Sequence, residues 1–259
     1  MSQTRLATET AGSSTSQLAT LIAGCDVVDL APLLFPNMPR WSTHPDLAII
    51  DDSRNFEQNG YFLQTLVLPE HVGCHVDVPA HYIRAMADKT MDTFPPDCVM
   101  GPAKKVDVSQ LDLGPGELLT LARFEQAAGA AGISIDVGDI AIVEFGWDKN
   151  LPGGSAERPD DWWGSNNPGF AEDLCAWLAK RRVKAVGGDT VSVDLAQVDG
   201  VVVSDFGHSK YFLPDSILII EGLQNLAAVP ASFYFLALPL RTRGGSGSPL
   251  RPVGLVPRT

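Results

Sequence analysis

Residues 71–82 read His-Val-Gly-Cys-His-Val-Asp-Val-Pro-Ala-His-Tyr, and no other stretch limits the fold of this chain as sharply. Three of its five histidines fall here, together with one aspartate. In an extended chain alternate side chains share a face. His71, Gly73, His75, Asp77, Pro79 and His81 then point one way, while Val72, Val76 and Val78 enter a core. A straight run from His71 to Asp77 covers about 20 Å at ~3.3 Å per residue, too far for one ion held at about 2 Å. The strand must therefore bend, and Gly73 and Pro79 are the residues that let it. Imidazole and carboxylate donors without a thiolate suit Zn²⁺ or Mn²⁺. The competing reading is an exposed polar face, which is what a lone His-x-Asp pair in a strand usually is.

Length and charge narrow the setting. A chain of 259 residues buries a full core, and the absence of a linker-like stretch in its middle predicts one domain. A formal charge of −12 argues against a nucleic-acid partner, which needs clustered Lys and Arg, and fits a small-molecule substrate. Cys25, Cys74, Cys98 and Cys175 form no C-x-x-C pair, so neither a disulfide framework nor a zinc knuckle is expected, and a reduced cytoplasm is the expected location. Residues 1–24 read as a flexible polar arm without a secretion signal, followed by a domain over 25–259. No apolar run is long enough to span a bilayer.

Hydrophobic periodicity predicts strands over residues 26–30, 47–50, 61–68, 103–108, 139–145, 183–187, 216–221 and 233–238, with an edge at 253–256. Helices are predicted over 120–131 and 168–181, with a short one at 205–213. The fold class is α/β with a substantial mixed sheet. Residues 146–167 form a long loop carrying Trp147, Trp162 and Trp163, which either pack internally or line a pocket for a planar ring. Glu221 ends an apolar run and needs a buried partner, a metal or an arginine. His208 taken alone reads as a structural histidine. Asp189 and Asp194 suit turn and cap duty. Cys74 lacks the surroundings of a nucleophile, and Gly244-Gly-Ser-Gly247 lacks the Lys of a phosphate loop.

The 71–82 segment resembles the signature H-x-G-T-H-x-D-x-P-x-H of the metal-dependent cyclase family, which includes bacterial kynurenine formamidases and isatin hydrolases. One position departs, Cys74 standing where the family has Thr, and a hydroxyl hydrogen bond is lost there. Asp26-Val-Val-Asp-Leu30 is similar to the family's opening strand, and Gly187-Gly-Asp-Thr-Val-Ser-Val-Asp194 to its G-x-D-T-x-S-x-D stretch. His208, Leu218-Ile-Ile-Glu-Gly-Leu-Gln-Asn-Leu226 and the Gly-rich 237–251 segment resemble its later blocks. The resemblance implies His71, His75 and Asp77 as metal ligands, with Asp77 bridging to a second ion held by His208 and Glu221. It implies His81 as proton shuttle, a β-rich β/β/α fold of the swivelling type, and a homodimer or homotetramer. The expected activity is hydrolysis of a C–N amide bond by metal-activated water, with the ring opening of a small cyclic amide such as isatin preferred for the Trp-bearing loop. Hydrolysis of N-formylkynurenine, lactone or polyketide-type cyclase chemistry, and a non-catalytic metal scaffold are the alternatives.

Overall fold

The computed structural model describes residues 11–258. At its centre is a nine-stranded mixed sheet. In chain order its strands are β1 (Cys25–Asp29), β2 (His75–Asp77), β3 (Met100–Asp107), β4 (Ile140–Glu144) and β5 (Ala185–Gly188). They continue with β6 (Leu218–Glu221), β7 (Ser232–Leu236), β8 (Gly247–Pro249) and β9 (Val253–Pro257). The spatial order is β1-β9-β7-β3-β4-β5-β6-β2-β8. β3, β4, β5 and β6 run parallel, and the strands added at either side are antiparallel.

The parallel strands β4, β5 and β6 carry apolar residues on both faces, as strands covered from two sides do. Ile140, Ile142, Ala185, Leu218 and Ile220 enter one core, while Ala141, Val143, Val186 and Ile219 enter the other. Two helices close the second core, each in a crossover between parallel strands. In α2 (Leu121–Ala130), Phe124 and Ala128 share the buried face, and the Thr120 side chain caps it by accepting from Arg123 N. In α3 (Glu172–Arg181), Leu174, Cys175 and Leu178 do the burying, with acids in the first turn and bases in the last to suit the helix dipole.

Most predicted elements stand within a few residues of their expected bounds, and the departures have physical causes. The 71–82 segment is not one bent strand. Only His75–Asp77 is strand, set between a left-handed Gly73 (φ +62) and a 3₁₀ turn at Pro79–His81. The second helix starts at Glu172 rather than 168, because Gly169–Phe170 first pairs with Leu118–Leu119. Residues 205–213 give a π-type turn, Gly207–Tyr211, instead of an α-helix. Of the predicted polar arm, residues 1–10 lie outside the described residues. Residues 11–23 form a helix, α1 (Ala11–Ala23), whose described side chains are exposed. A hairpin of Ala48–Arg54 and Leu63–Val67 stands apart from the main sheet. Among the described residues no helix is long and apolar enough to cross a membrane.

Candidate metal centre

The site forms at the carboxyl ends of the parallel strands, the edge of an open α/β sheet that offers a crevice. Glu221 is the last residue of β6, Ser192 and Asp194 follow β5, and the Trp-bearing loop follows β4. Antiparallel β2 lies beside β6 in a register that sets His75 opposite Glu221 and Asp77 opposite Ile219. Val76 between them is fully buried on the other face. The strand thus delivers two polar side chains to one edge and anchors itself with the third residue.

All five histidines line a single cavity of about 220 Å³, together with Asp77 and Glu221. Its walls are Pro39, Trp41, Trp163, Val191 and Leu195, with Arg40 and Tyr82 at the margin. Asp77 is the hub: His71 Nδ1 lies 2.6 Å from Oδ1, His75 Nε2 3.6 Å from Oδ1, and His208 Nε2 3.3 Å from Oδ2. Glu221 closes the other side, 3.3 Å from His75 Nε2 and 3.8 Å from His208 Nε2. His81 stands off, its Nε2 4.0 Å from Asp77 Oδ2.

Hydrogen-bond direction assigns the ring nitrogens. Ser246 Oγ gives its hydrogen to Glu70 Oε2 (2.8 Å), so it must accept from His71 Nε2–H (2.8 Å). His75 Nδ1–H donates to the Gly73 carbonyl (3.0 Å), and His208 Nδ1–H to Asp194 Oδ1 (2.7 Å). Each ring therefore has one nitrogen held by the protein, and in the neutral ring the other is a lone pair facing Asp77 or Glu221. A lone pair directed at a carboxylate is repulsive unless a proton or a cation lies between. A divalent ion fits this donor set. The expected triad divides around Asp77, His71 grouping with Asp77 and His81, and His75 with Asp77 and Glu221. Ser192 Oγ donates to Glu221 Oε1 (2.8 Å) and fixes that carboxylate.

In the absence of a cation, protons take its place. Burial alone would lower the pKa of His75, but its bond to Glu221 and the Asp77 and Glu221 charges outweigh burial and raise it to about 9. His208 is driven up in the same way, against burial, chiefly by Asp194. Burial would raise the Asp77 carboxyl, yet the neighbouring imidazoles hold it well below its ordinary value. His81 goes the other way: burial, aided by the charges of the other rings, pushes it down to about 4, and it stays neutral. Burial and the Glu221 charge raise the Cys74 thiol, which is inert as a nucleophile.

Of the three loop tryptophans, Trp163 lines the cavity. Trp147 is instead buried, donating to Asn166 O and stacking on Trp162 at 5.6 Å between centroids. Asp189 accepts from Phe145 N and Trp147 N and so pins the start of this loop, burial pushing its pKa up to about 7. His44 carried no signal in the sequence, and neither the Glu70–Ser246–His71 chain of hydrogen bonds nor the orienting contact of Asp194 with His208 could be read from it.

The Cyclase family model, described as “Putative cyclase”, matches residues 28–195. The isatin hydrolase of Roseibium aggregatum is 29% identical over 252 residues, covering 93% of this chain and 95% of that protein. The kynurenine formamidase of Salinibacter ruber is 30% identical over 200 residues, covering 77% of this chain and 82% of its own. A crystal structure of an isatin hydrolase bound to the product analogue thioisatinate superposes with a TM-score of 0.81 at 24% identity, over 98% of this chain and all of that one. With the fold, the family model and named hydrolases in agreement along most of its length, this chain belongs to the Cyclase family.

Proposed function

We propose that this chain is a metal-dependent hydrolase that opens the ring of a small cyclic amide of the isatin type. The observation that carries the reading is the cluster of Asp77, Glu221, His71, His75 and His208, whose inward nitrogens converge on two carboxylates in a small cavity. These five residues would hold one Zn²⁺ or Mn²⁺ ion, or two sharing Asp77. Such an ion supplies a Lewis acid for the amide carbonyl and acidifies water. The remaining work falls to the chain. Trp41, Trp163, Val191 and Leu195 exclude bulk water and hold a flat ring. His81, neutral and 4.0 Å from Asp77, takes a proton from the attacking water and returns it to the leaving nitrogen.

Arg40, held on two sides, is the cavity residue that separates a neutral ring from an amino-acid substrate. Its guanidinium gives Nη2 to Asp46 (2.8 Å) and Nε to the His44 carbonyl (2.9 Å), which partly occupies the one Arg or Lys among the described residues lining the cavity. Exposed Phe62, Leu63, Leu66 and Val67 on the detached hairpin support association of identical chains into a dimer or tetramer.

The test is initial hydrolysis rates on isatin and N-formylkynurenine with Mn²⁺ or Zn²⁺ added and with a chelator control. Isatin turnover that the chelator abolishes is expected. A preference for the formyl compound would move the chain to the formamidases, and inactivity on both would overturn the reading in favour of lactones or a scaffold role. His81→Ala should cut turnover about 10²–10⁴-fold with the ion retained, as for a lost general acid–base. Loss of the ion from that variant would make His81 a ligand.

A further inference from the structure

His44 has no part in the cluster above, yet its ring lines the same cavity, 5.8 Å centroid to centroid from His71. Its Nδ1 sits 3.3 Å from the backbone carbonyl of His71. A carbonyl only accepts, so Nδ1 carries the hydrogen and the neutral ring presents Nε2 as a bare lone pair. That nitrogen has no partner among the described residues. The apolar lining of the cavity, Pro39, Trp41, Trp163, Val191 and Leu195, has no side-chain acceptor. Asp77 and Glu221 face the imidazoles, while Ser192 and Tyr82 give their hydrogens to Glu221 and Asp205 and keep lone pairs of their own.

We propose that His44 is a specificity-determining residue, whose Nε2 accepts the N–H of the ring amide while the amide carbonyl lies against the Asp77–Glu221 cluster. The assignment rests on the ring-opening reading and deepens it. An acceptor fixed on an apolar wall rewards a lactam N–H and leaves a lactone oxygen or an N-alkylated ring facing a lone pair. The chain is thereby an amide-selective member of its fold, and the selectivity comes from outside the metal cluster.

The test compares isatin with N-methylisatin on the metal-loaded wild type, His44→Leu and His44→Gln, with bound metal counted in each protein. The wild type should prefer isatin, and His44→Leu should lose about tenfold in kcat/KM on isatin, the value of one neutral hydrogen bond, while changing little on the methylated ring. His44→Gln, which keeps an acceptor, should recover part of the preference, and all three proteins should bind the same amount of metal. Equal losses on both substrates, or a wild type indifferent to the methyl group, would overturn the assignment and leave ring opening intact. A wild type that opens neither ring would overturn the ring-opening reading, and this assignment with it.

Discussion

At the scale of single residues, the second nitrogen of each imidazole governs the site. His71 donates to Ser246, His75 to Gly73 and His208 to Asp194, so each ring would meet an ion already oriented. Ser246→Ala leaves every candidate ligand in place but frees the His71 ring. Metal affinity should fall about 10–100-fold, read by competition with a chromophoric chelator, as for other lost partners of ligating histidines. Protons compete for the same nitrogens. His75 in the folded, metal-free chain has its pKa raised from 6.5 to about 9, so its stabilising proton is fully present below pH 6.5 and is lost as pH rises through about 9. The urea midpoint of chelator-treated protein should therefore fall between these two values, while Mn²⁺ affinity should rise as that proton leaves. An affinity flat across the interval would contradict the assignment of His75 as a ligand. His75 and Asp77 were legible in the sequence because their spacing is local. His44 and Ser246 were not, since each gains its meaning from a residue 27 or 175 positions away.

At the scale of elements, the site depends on a strand three residues long held between two partners. Gly73 at φ +62 turns the chain into β2, a conformation that costs an L-residue with a side chain roughly 1–2 kcal/mol. Gly247 on β8 allows the close approach from the other side: a Cβ there would stand 2.5 Å from Val76 O and 2.6 Å from His71 Cε1. Gly247→Ala should press β8 off β2 and displace the His71 ring. Such overpacking costs about 1–3 kcal/mol, with loss of metal measured by elemental analysis and a lower melting temperature. Full metal occupancy in that variant would show that the strand edge can yield. The need for a bend was readable from Gly73 and Pro79. The shortness of β2 was not, because alternation alone does not reveal where pairing stops. β8 was missed for a related reason: Gly247-Ser-Pro249 has neither β-branched nor aromatic residues, and it is strand only because β2 pairs with it.

At the scale of the whole molecule, the parallel strands were legible as apolar runs, whereas the spatial order of the sheet was not, because pairing such as β2 beside β6 joins residues far apart in the chain. Assembly is tested at this scale too. Light scattering on the purified protein should give a multiple of the 27.7 kDa chain mass, and charged substitutions at Leu63 and Leu66 on the detached hairpin should return it to a monomer. A monomeric wild type would refute the proposed association. The two-sided sheet carries one more consequence. β4, β5 and β6 have a core on each face, and Val76 anchors the strand between His75 and Asp77, so insertion or deletion of a single residue in this region would turn the candidate ligands inward and apolar groups outward. The frame therefore has almost no freedom to drift. Variation that alters substrate choice must enter through the rim, at residues 39–44 and in the loop bearing Trp163, where chain length can change without moving a candidate ligand. Descendants of such a protein would diverge in diet long before they diverged in chemistry.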